Sequence, residues 1–249
     1  MSPAAINRAP MVRLDRLLAN LGYGSRREVQ DLVAAGAVRL DGEALARADR
    51  RIALTPDLAA RMSVNGSRLD PPAPLTLVMH KPLGVVCSHT ESGRSVYELL
   101  PPRWRRREPA LSTVGRLDKE TSGLLLLTDD GPLLHRIISP KTHLPKRYRF
   151  SLERPLRGDE AEVFASGTLM LEGEAKPLAP AGLEVLNARA GWLTITEGRY
   201  HQVRRMFAAI GNHVSALHRD RIGDLDLPPG LGSGDYRPIT EMELTRVLG

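Results

Sequence analysis

Between residues 13 and 69 the apolar positions keep helical spacing and then switch to alternation. Leu14, Leu17, Leu18 and Leu21 make one face of a short helix that stops near Gly22. Ser25 opens a second helix, Glu28 three residues on completes a capping box, and Val29, Leu32 and Val33 supply the apolar face until Gly36 ends it. Val38 and Leu40 then alternate with Arg39, and Asp41-Gly42 is a tight hairpin turn. The pattern predicts a small module of two helices and a hairpin. Residues 1–12, with two prolines and no period, predict a disordered tail.

Asp70-Pro71-Pro72-Ala73-Pro74 suits neither a helix nor a central strand, so 70–74 reads as a stiff linker and a domain boundary. Beyond it the signals alternate in type. Residues 75–79 and 85–87 are strand candidates flanking a turn at 80–84, and the apolar run Leu124 to Leu127 is a buried strand. Asp129-Asp130-Gly131-Pro132 turns into a helix faced by Leu133, Leu134, Ile137 and Ile138; His135 on it reads as a surface or capping residue. Residues 146–152 alternate, with Tyr148, Phe150 and Leu152 on one side. A helix is expected at 160–166, strands at 183–186 and 192–196, and a helix faced by Val203, Met206, Phe207 and Ile210 that Gly211-Asn212 ends. Residues 224–237 are rich in glycine and proline, and Thr240 with Glu243 caps a closing helix.

Composition narrows the partners. The 249 residues are 42% hydrophobic and 26% charged, which allows two packed domains. A net charge of +6 and a pI near 9.8 favour a polyanionic partner. Thirty arginines stand against five lysines, and guanidinium grips phosphate bidentately. Arg13, Arg16, Arg26, Arg27 and Arg39 cluster on the first module, either as a solvated face or as phosphate contacts. Trp104-Arg105-Arg106-Arg107 is a basic loop, either plain surface or a contact for RNA backbone with the indole free to stack. Cys87 is the single cysteine, so no intrachain disulfide and no multi-cysteine zinc site can form, and a reducing cytoplasm fits. No segment has the length of a membrane span or the core of a secretion signal. Nor is there a Walker loop, GxGxxG, HExxH or GxSxG triad, so neither cofactor nor metal is expected.

The chemistry concentrates at Gly115-Arg116-Leu117-Asp118-Lys119-Glu120-Thr121-Ser122-Gly123, just before the leucine run. A carboxylate on a loop at the mouth of a buried strand can act as a nucleophile if it stays ionised. Burial alone raises its pKa, so a cation within about 4–6 Å is required. Arg-x-Asp by itself is also compatible with a solvated salt bridge.

The whole stretch resembles the catalytic motif of pseudouridine synthases, in the branch that modifies ribosomal RNA. Asp118 occupies the place of that family's catalytic aspartate. His80-Lys81-Pro82-Leu83-Gly84 resembles its first signature, and Lys146-Arg147-Tyr148 its second, whose tyrosine packs against the target base. Glu197-Gly198-Arg199-Tyr200-His201-Gln202-Val203-Arg204-Arg205-Met206, continued by His218-Arg219-Asp220-Arg221-Ile222-Gly223, resembles the third, closest to the small-subunit enzyme. There Arg204 stands where the family's arginine pairs with the aspartate. The pattern over 13–69 resembles an S4 RNA-binding domain, more loosely after Arg50, with Arg61 near a position where an acidic residue is common.

The resemblance implies an α+β protein: a small S4-like module at 13–69 and a catalytic domain at 75–249 built on a mixed, mainly antiparallel sheet. It implies Asp118, Tyr148 and Arg204 as the catalytic set. Arg116, Lys146, Arg199, His201, Gln202 and Arg205 are expected at the substrate, with His201 and Gln202 supporting the loop, and the five module arginines on RNA phosphates. The implied reaction converts uridine to pseudouridine in ribosomal RNA, at one site of the small-subunit 16S RNA, by resemblance uridine 516. A large-subunit RNA enzyme of the same branch, or a non-catalytic RNA-binding assembly factor, are the alternatives. The partner is ribosomal RNA, free or in an assembling small subunit, met by a monomer in the cytoplasm away from membranes.

Overall fold

Residues 9–249 are described by the computed structural model. They divide into two units, and the division is not linear in sequence: residues 9–75 and Leu100–Leu111 form one, Thr76–Leu99 and Ser112–Gly249 the other.

In the first unit the helices Leu14–Asn20 and Arg26–Ala34 stand where apolar spacing puts them. The capping box forms in full: Glu28 N donates to Ser25 Oγ at 3.3 Å, and Ser25 N to Glu28 Oε2 at 2.6 Å. Strand Val38–Leu40 turns through Asp41 and Gly42, both at positive φ, into Glu43–Ala44, then pairs on its other edge with Met62–Val64. Arg61 explains its own departure from the acidic pattern by clasping Asp41 at 2.8 and 2.7 Å and so bracing that turn. Leu14, Leu18, Val29, Val38 and Leu58 lie at the centre of the core.

Of the tail expected over 1–12, residues 1–8 lie outside the described residues, whereas Met11 and Val12 belong to a strand, Met11–Arg13, paired antiparallel with Arg51–Ala53. The basic loop also differs from expectation. Pro102–Arg106 is a turn of 3₁₀ helix whose Trp104 is buried and therefore unavailable to stack on a base. Arg103 grips Asp70 through two nitrogens and lies 5.0 Å over the Tyr23 ring, and Arg107, also buried, donates to Pro71 O. A cation held by a carboxylate, a ring and main-chain carbonyls can be buried where a bare one cannot.

The second unit is a sheet of nine strands among the described residues. Its main path runs Gly182–Asn187, Ala190–Ile195, Lys146–Leu152, Val214–Ile222, Ser122–Thr128, Thr76–Lys81, Tyr236–Pro238. All its named pairings are antiparallel except one, between Val214–Ile222 and Ser122–Thr128, so the sheet is mixed and mainly antiparallel as expected. His80 and Lys81 belong to the strand rather than to the turn after it. Val85 to Cys87 form no strand, only a bridge from Val86 to Ser95.

The parallel join fixes the geometry of everything that follows. It sets Arg219 beside Gly123 on one side, while the antiparallel partner on the other side sets Arg219 beside Tyr148. Gly123 lies at φ +112°, and a Cβ there would stand 2.2 Å from Arg219 O, so a residue without a side chain is required at this approach. Leu124 to Leu127 are wholly buried, and Leu124 and Leu126 pack with Val78, Ile137, Ile222 and Val247. Two helices bear on the site: Gly131–Ile138, capped by Asp130 accepting from Leu133 N at 3.0 Å, and Gln202–Ala209, whose first cap residue is His201.

Candidate active site

A cavity of about 970 Å³ opens in the second unit over the centre of its sheet. Asp118, Tyr148, Lys146, Arg116, His201 and Arg219 all contribute to its wall, with Leu117, Ile195, Leu217 and Ile222 as apolar lining. That volume lies within the range of small-ligand sites.

Asp118 is held from beneath. Thr121 N donates to Asp118 O at 3.0 Å, turning the loop toward its strand, and Gly84 N donates to Lys119 O at 2.9 Å. Lys81, wholly buried, donates its Nζ to Thr121 O at 2.9 Å, Pro82 O at 3.0 Å and Lys119 O at 3.4 Å. One ammonium thus ties the loop that bears Asp118 to the turn after Lys81, which gives the Lys-Pro-x-Gly segment a physical purpose. Burial is the main cause that lowers the Lys81 pKa.

Two basic side chains approach the Asp118 carboxylate from the start of the Gln202–Ala209 helix. His201 Nε2 stands 3.4 Å from Oδ1, and Arg204 Nε stands 4.0 Å from Oδ2. Arg204 is pinned at the far end, its terminal nitrogens donating to Val214 O at 3.0 Å and Glu120 O at 2.6 Å. It does not line the main cavity; with His201 it lines a smaller hollow of about 240 Å³. The guanidinium faces the carboxylate from outside the main cavity. His201 keeps a left-handed backbone at φ +49°, uncommon for a residue with a side chain, with the Tyr200 ring stacked 3.9 Å from its own.

Tyr148, 8% exposed, presents its ring to the cavity from the central strand, and its hydroxyl accepts from Arg219 Nη1 at 3.4 Å. Lys146 on the same strand donates to Leu144 O at 2.9 Å, and burial, helped by the charge on Arg219, pulls its pKa down to about 8. Arg116 reaches outward to Glu91 and is largely exposed.

Three of the residues expected at the substrate make hydrogen bonds within the fold. Arg199 donates to Glu197 Oε2, Glu174 Oε2, Lys176 O and Pro177 O; Arg205 donates to Glu174 Oε1, Tyr200 O and Glu172 O. Gln202, buried, bridges Glu197 Oε1 and Arg199 N. Together they bind the 172–177 segment to the loop that delivers His201; Arg199 and Gln202 also line the main cavity, and Arg205 the smaller hollow. In the first unit Arg16, Arg26 and Arg27 are exposed, Arg39 reaches only Gly42 O, and Arg13 pairs with Asp15.

Lys81 and Arg219 were not singled out from the sequence. A signal existed for Lys81, a lysine within an apolar segment of a chain that otherwise prefers arginine. Arg219 offered none, because it sits in a run of charged residues, His218-Arg219-Asp220-Arg221, that hides the strand. Among the described residues no group of three or more His, Cys, Asp or Glu is placed to hold a metal, and no helix is long and apolar enough to cross a membrane.

Residues 75–209 match the RNA pseudouridylate synthase family, and residues 12–52 match the S4 domain. The chain is 44% identical to an uncharacterized RNA pseudouridine synthase, YtzG, of Bacillus subtilis, over 94% of this chain and 97% of that protein. It is 41% identical to ribosomal small subunit pseudouridine synthase A of Escherichia coli, over 95% of this chain and 100% of that protein. A crystal structure of a pseudouridylate synthase superposes with a TM-score of 0.66 at 35% identity, covering 95% of this chain and 99% of that one.

Proposed function

The chain belongs to the RNA pseudouridylate synthase family, and we propose that it isomerises one uridine of 16S ribosomal RNA, uridine 516, with Asp118 as the nucleophile. The observation that carries this reading is the convergence of three distant segments. The loop of Asp118, the strand of Tyr148 and the helix of Arg204 meet at one cavity. The likeness to the E. coli small-subunit enzyme along nearly the whole of both chains supports the choice of RNA.

A uridine buried in a helix cannot present its glycosidic bond, so it must be extruded, which costs least where pairing is already weak. The base then rests on the Tyr148 ring. Arg204 and His201 stand beside the two oxygens of the Asp118 carboxylate, the group that serves as nucleophile. Asp118 attacks, the C1′–N1 bond breaks, the uracil turns, and C5 bonds to C1′. Attack at uracil C6 and attack at C1′ are both served by this placement. Lys146 and Arg116 at the cavity wall, and the exposed arginines of the S4 domain, meet the RNA backbone. The substrate is ribosomal RNA, free or within an assembling small subunit, and the protein acts as a monomer in the cytoplasm.

The test is tritium release from 16S RNA labelled at uridine C5. Wild type should release one equivalent and Asp118→Asn none. No release by wild type would leave a non-catalytic RNA-binding factor as the better reading. Mapping of pseudouridine in ribosomal RNA from cells lacking the gene fixes the site; a missing modification in the large-subunit RNA instead would overturn the choice of 16S.

A further inference from the structure

Arg219 is 2% exposed, lies at the centre of the sheet and lines the cavity beside Tyr148. Two of its three nitrogens have partners inside the chain: Nε donates to Leu124 O at 2.9 Å and Nη1 to Tyr148 Oη at 3.4 Å. Nη2 is buried and has none. Among the described residues no carboxylate is paired with this guanidinium; Lys81, Lys146 and the Cys87 thiol feel its charge. A desolvated cation without an anion is costly, and proteins keep one where an anion or a strong acceptor arrives during function. Its charge is felt nearby, since it contributes to the lowering of both lysines.

We propose that Arg219 is a catalytic residue: its free Nη2 donates to a carbonyl oxygen of the uracil lying on Tyr148 and holds the negative charge that the ring acquires during isomerisation. The proposal rests on the uridine-isomerising reading of the cavity. Either route of attack places charge there. Addition of Asp118 at C6 forms an enolate on the ring. Attack at C1′ breaks the C1′–N1 bond with its electron pair on N1, spread over the two carbonyl oxygens. In the first route C1′–N1 breaks after the addition; in both, C5 then bonds to C1′, the C5 proton leaves to solvent, N1 takes up a proton, and the bond to Asp118 is released. A fixed donor aimed at charge that exists only in mid-reaction raises the rate without tightening ground-state binding. The Leu124 carbonyl and the parallel join at Gly123 keep the guanidinium from turning away.

Arg219→Met should lower the single-turnover rate of tritium release by about 10²- to 10³-fold, with RNA affinity changed less than about threefold. Arg219→Lys should recover part of the rate. A purely structural pin would give the same defect on any base, so the deciding measurement uses RNA carrying 5-fluorouridine at the target. That ring bears negative charge more readily and should depend less on Arg219, so the fold-loss in its consumption should be at least about tenfold smaller than on uridine. Equal losses on the two substrates, or an undiminished rate in Arg219→Met, overturn the proposal while leaving the isomerase reading intact. Absence of tritium release by wild type overturns both.

Discussion

Arg204 approaches Asp118 edge-on, with Nε 4.0 Å from Oδ2, while both of its terminal nitrogens are held by carbonyls at Val214 and Glu120. The two hydrogen bonds leave the guanidinium little freedom to follow the carboxylate, which suits a counter-ion better than a substrate contact. Arg204→Gln should therefore lower tritium release by about 10²-fold, comparable to the loss of one preorganised electrostatic partner. Arg204→Lys should recover little, because one nitrogen cannot stand in the three separate places that the guanidinium nitrogens fill. Single-turnover rates against RNA affinity decide it: a loss confined to affinity would mean that Arg204 meets RNA instead.

Lys81 acts on the same loop from beneath. In Lys81→Met the three carbonyls at Pro82, Lys119 and Thr121 lose their shared donor, but the cost of burying an ammonium disappears as well. These effects oppose each other, so stability should change by less than about 2 kcal/mol. The catalytic rate should fall more, about 10- to 100-fold, because a small displacement of Asp118 spoils its attack. Hydrogen exchange at the Thr121 amide, which donates to Asp118 O, should quicken in the variant. Unchanged exchange with full activity would remove Lys81 from this account.

These two residues show where reading the sequence stops. The helices of the first unit follow from spacing and a capping box, and Asp41-Gly42 from turn chemistry, all local codes. Asp118, Tyr148 and Arg204 were legible because each sits in a distinctive short motif. The burial of Lys81 and Arg219 depends on which strands pair across many intervening residues, and only the apolar neighbours of Lys81 hint at it. Strand Val214–Ile222 is buried at Val214, Leu217, Arg219 and Ile222, a spacing bent by irregular register against its neighbour, so the alternation that marks a strand is missing. Trp104 misled for the opposite reason. Its arginine neighbours suggested surface, yet Arg103 and Arg107 have partners that let the segment pack.

The close approach at Gly123 gives a direct test of the parallel join. Gly123→Ala adds a Cβ within 2.2 Å of Arg219 O at a φ that L residues rarely adopt. The loss should be about 3 kcal/mol or more in urea unfolding, from the clash and the backbone strain together. Gly84→Ala, also at positive φ but with open space around the added atom, should cost distinctly less. Similar losses at the two positions would mean that strain alone, and not the strand contact, sets the requirement.

Lys146 links pH to stability with a definite sign. Burial, with a smaller contribution from the charge on Arg219, brings its ammonium to about 8 in the folded chain, whereas in an unfolded chain it titrates near 10.4. Below about pH 8 both states hold the proton, and the fold bears the full cost of the buried charge. Between the two values the unfolded chain binds more protons, so this residue's contribution to stability rises with pH. Lys146→Met should thus gain most over wild type near pH 6, the gain shrinking toward pH 10. Urea unfolding of both proteins across that range measures it, and a gain independent of pH would contradict the assignment.

Arg26 and Arg27 occupy the first turn of a helix, where the backbone N–H groups already carry partial positive charge and a cation is unfavourable by about 0.3–1 kcal/mol. The Ser25–Glu28 box holds that turn without them, and both side chains are exposed. Their presence works against the helix, which is understandable if they serve a partner outside the chain. Replacing both by alanine should therefore move two quantities in opposite directions. Thermal stability should rise slightly, while affinity for 16S RNA falls and the slope of log affinity against log salt shrinks by about two. The single-turnover rate on saturated RNA should stay unchanged, because these phosphate contacts position the protein without touching the base. A salt slope equal to wild type would show that this face of the S4 domain does not meet the backbone, whatever its charge.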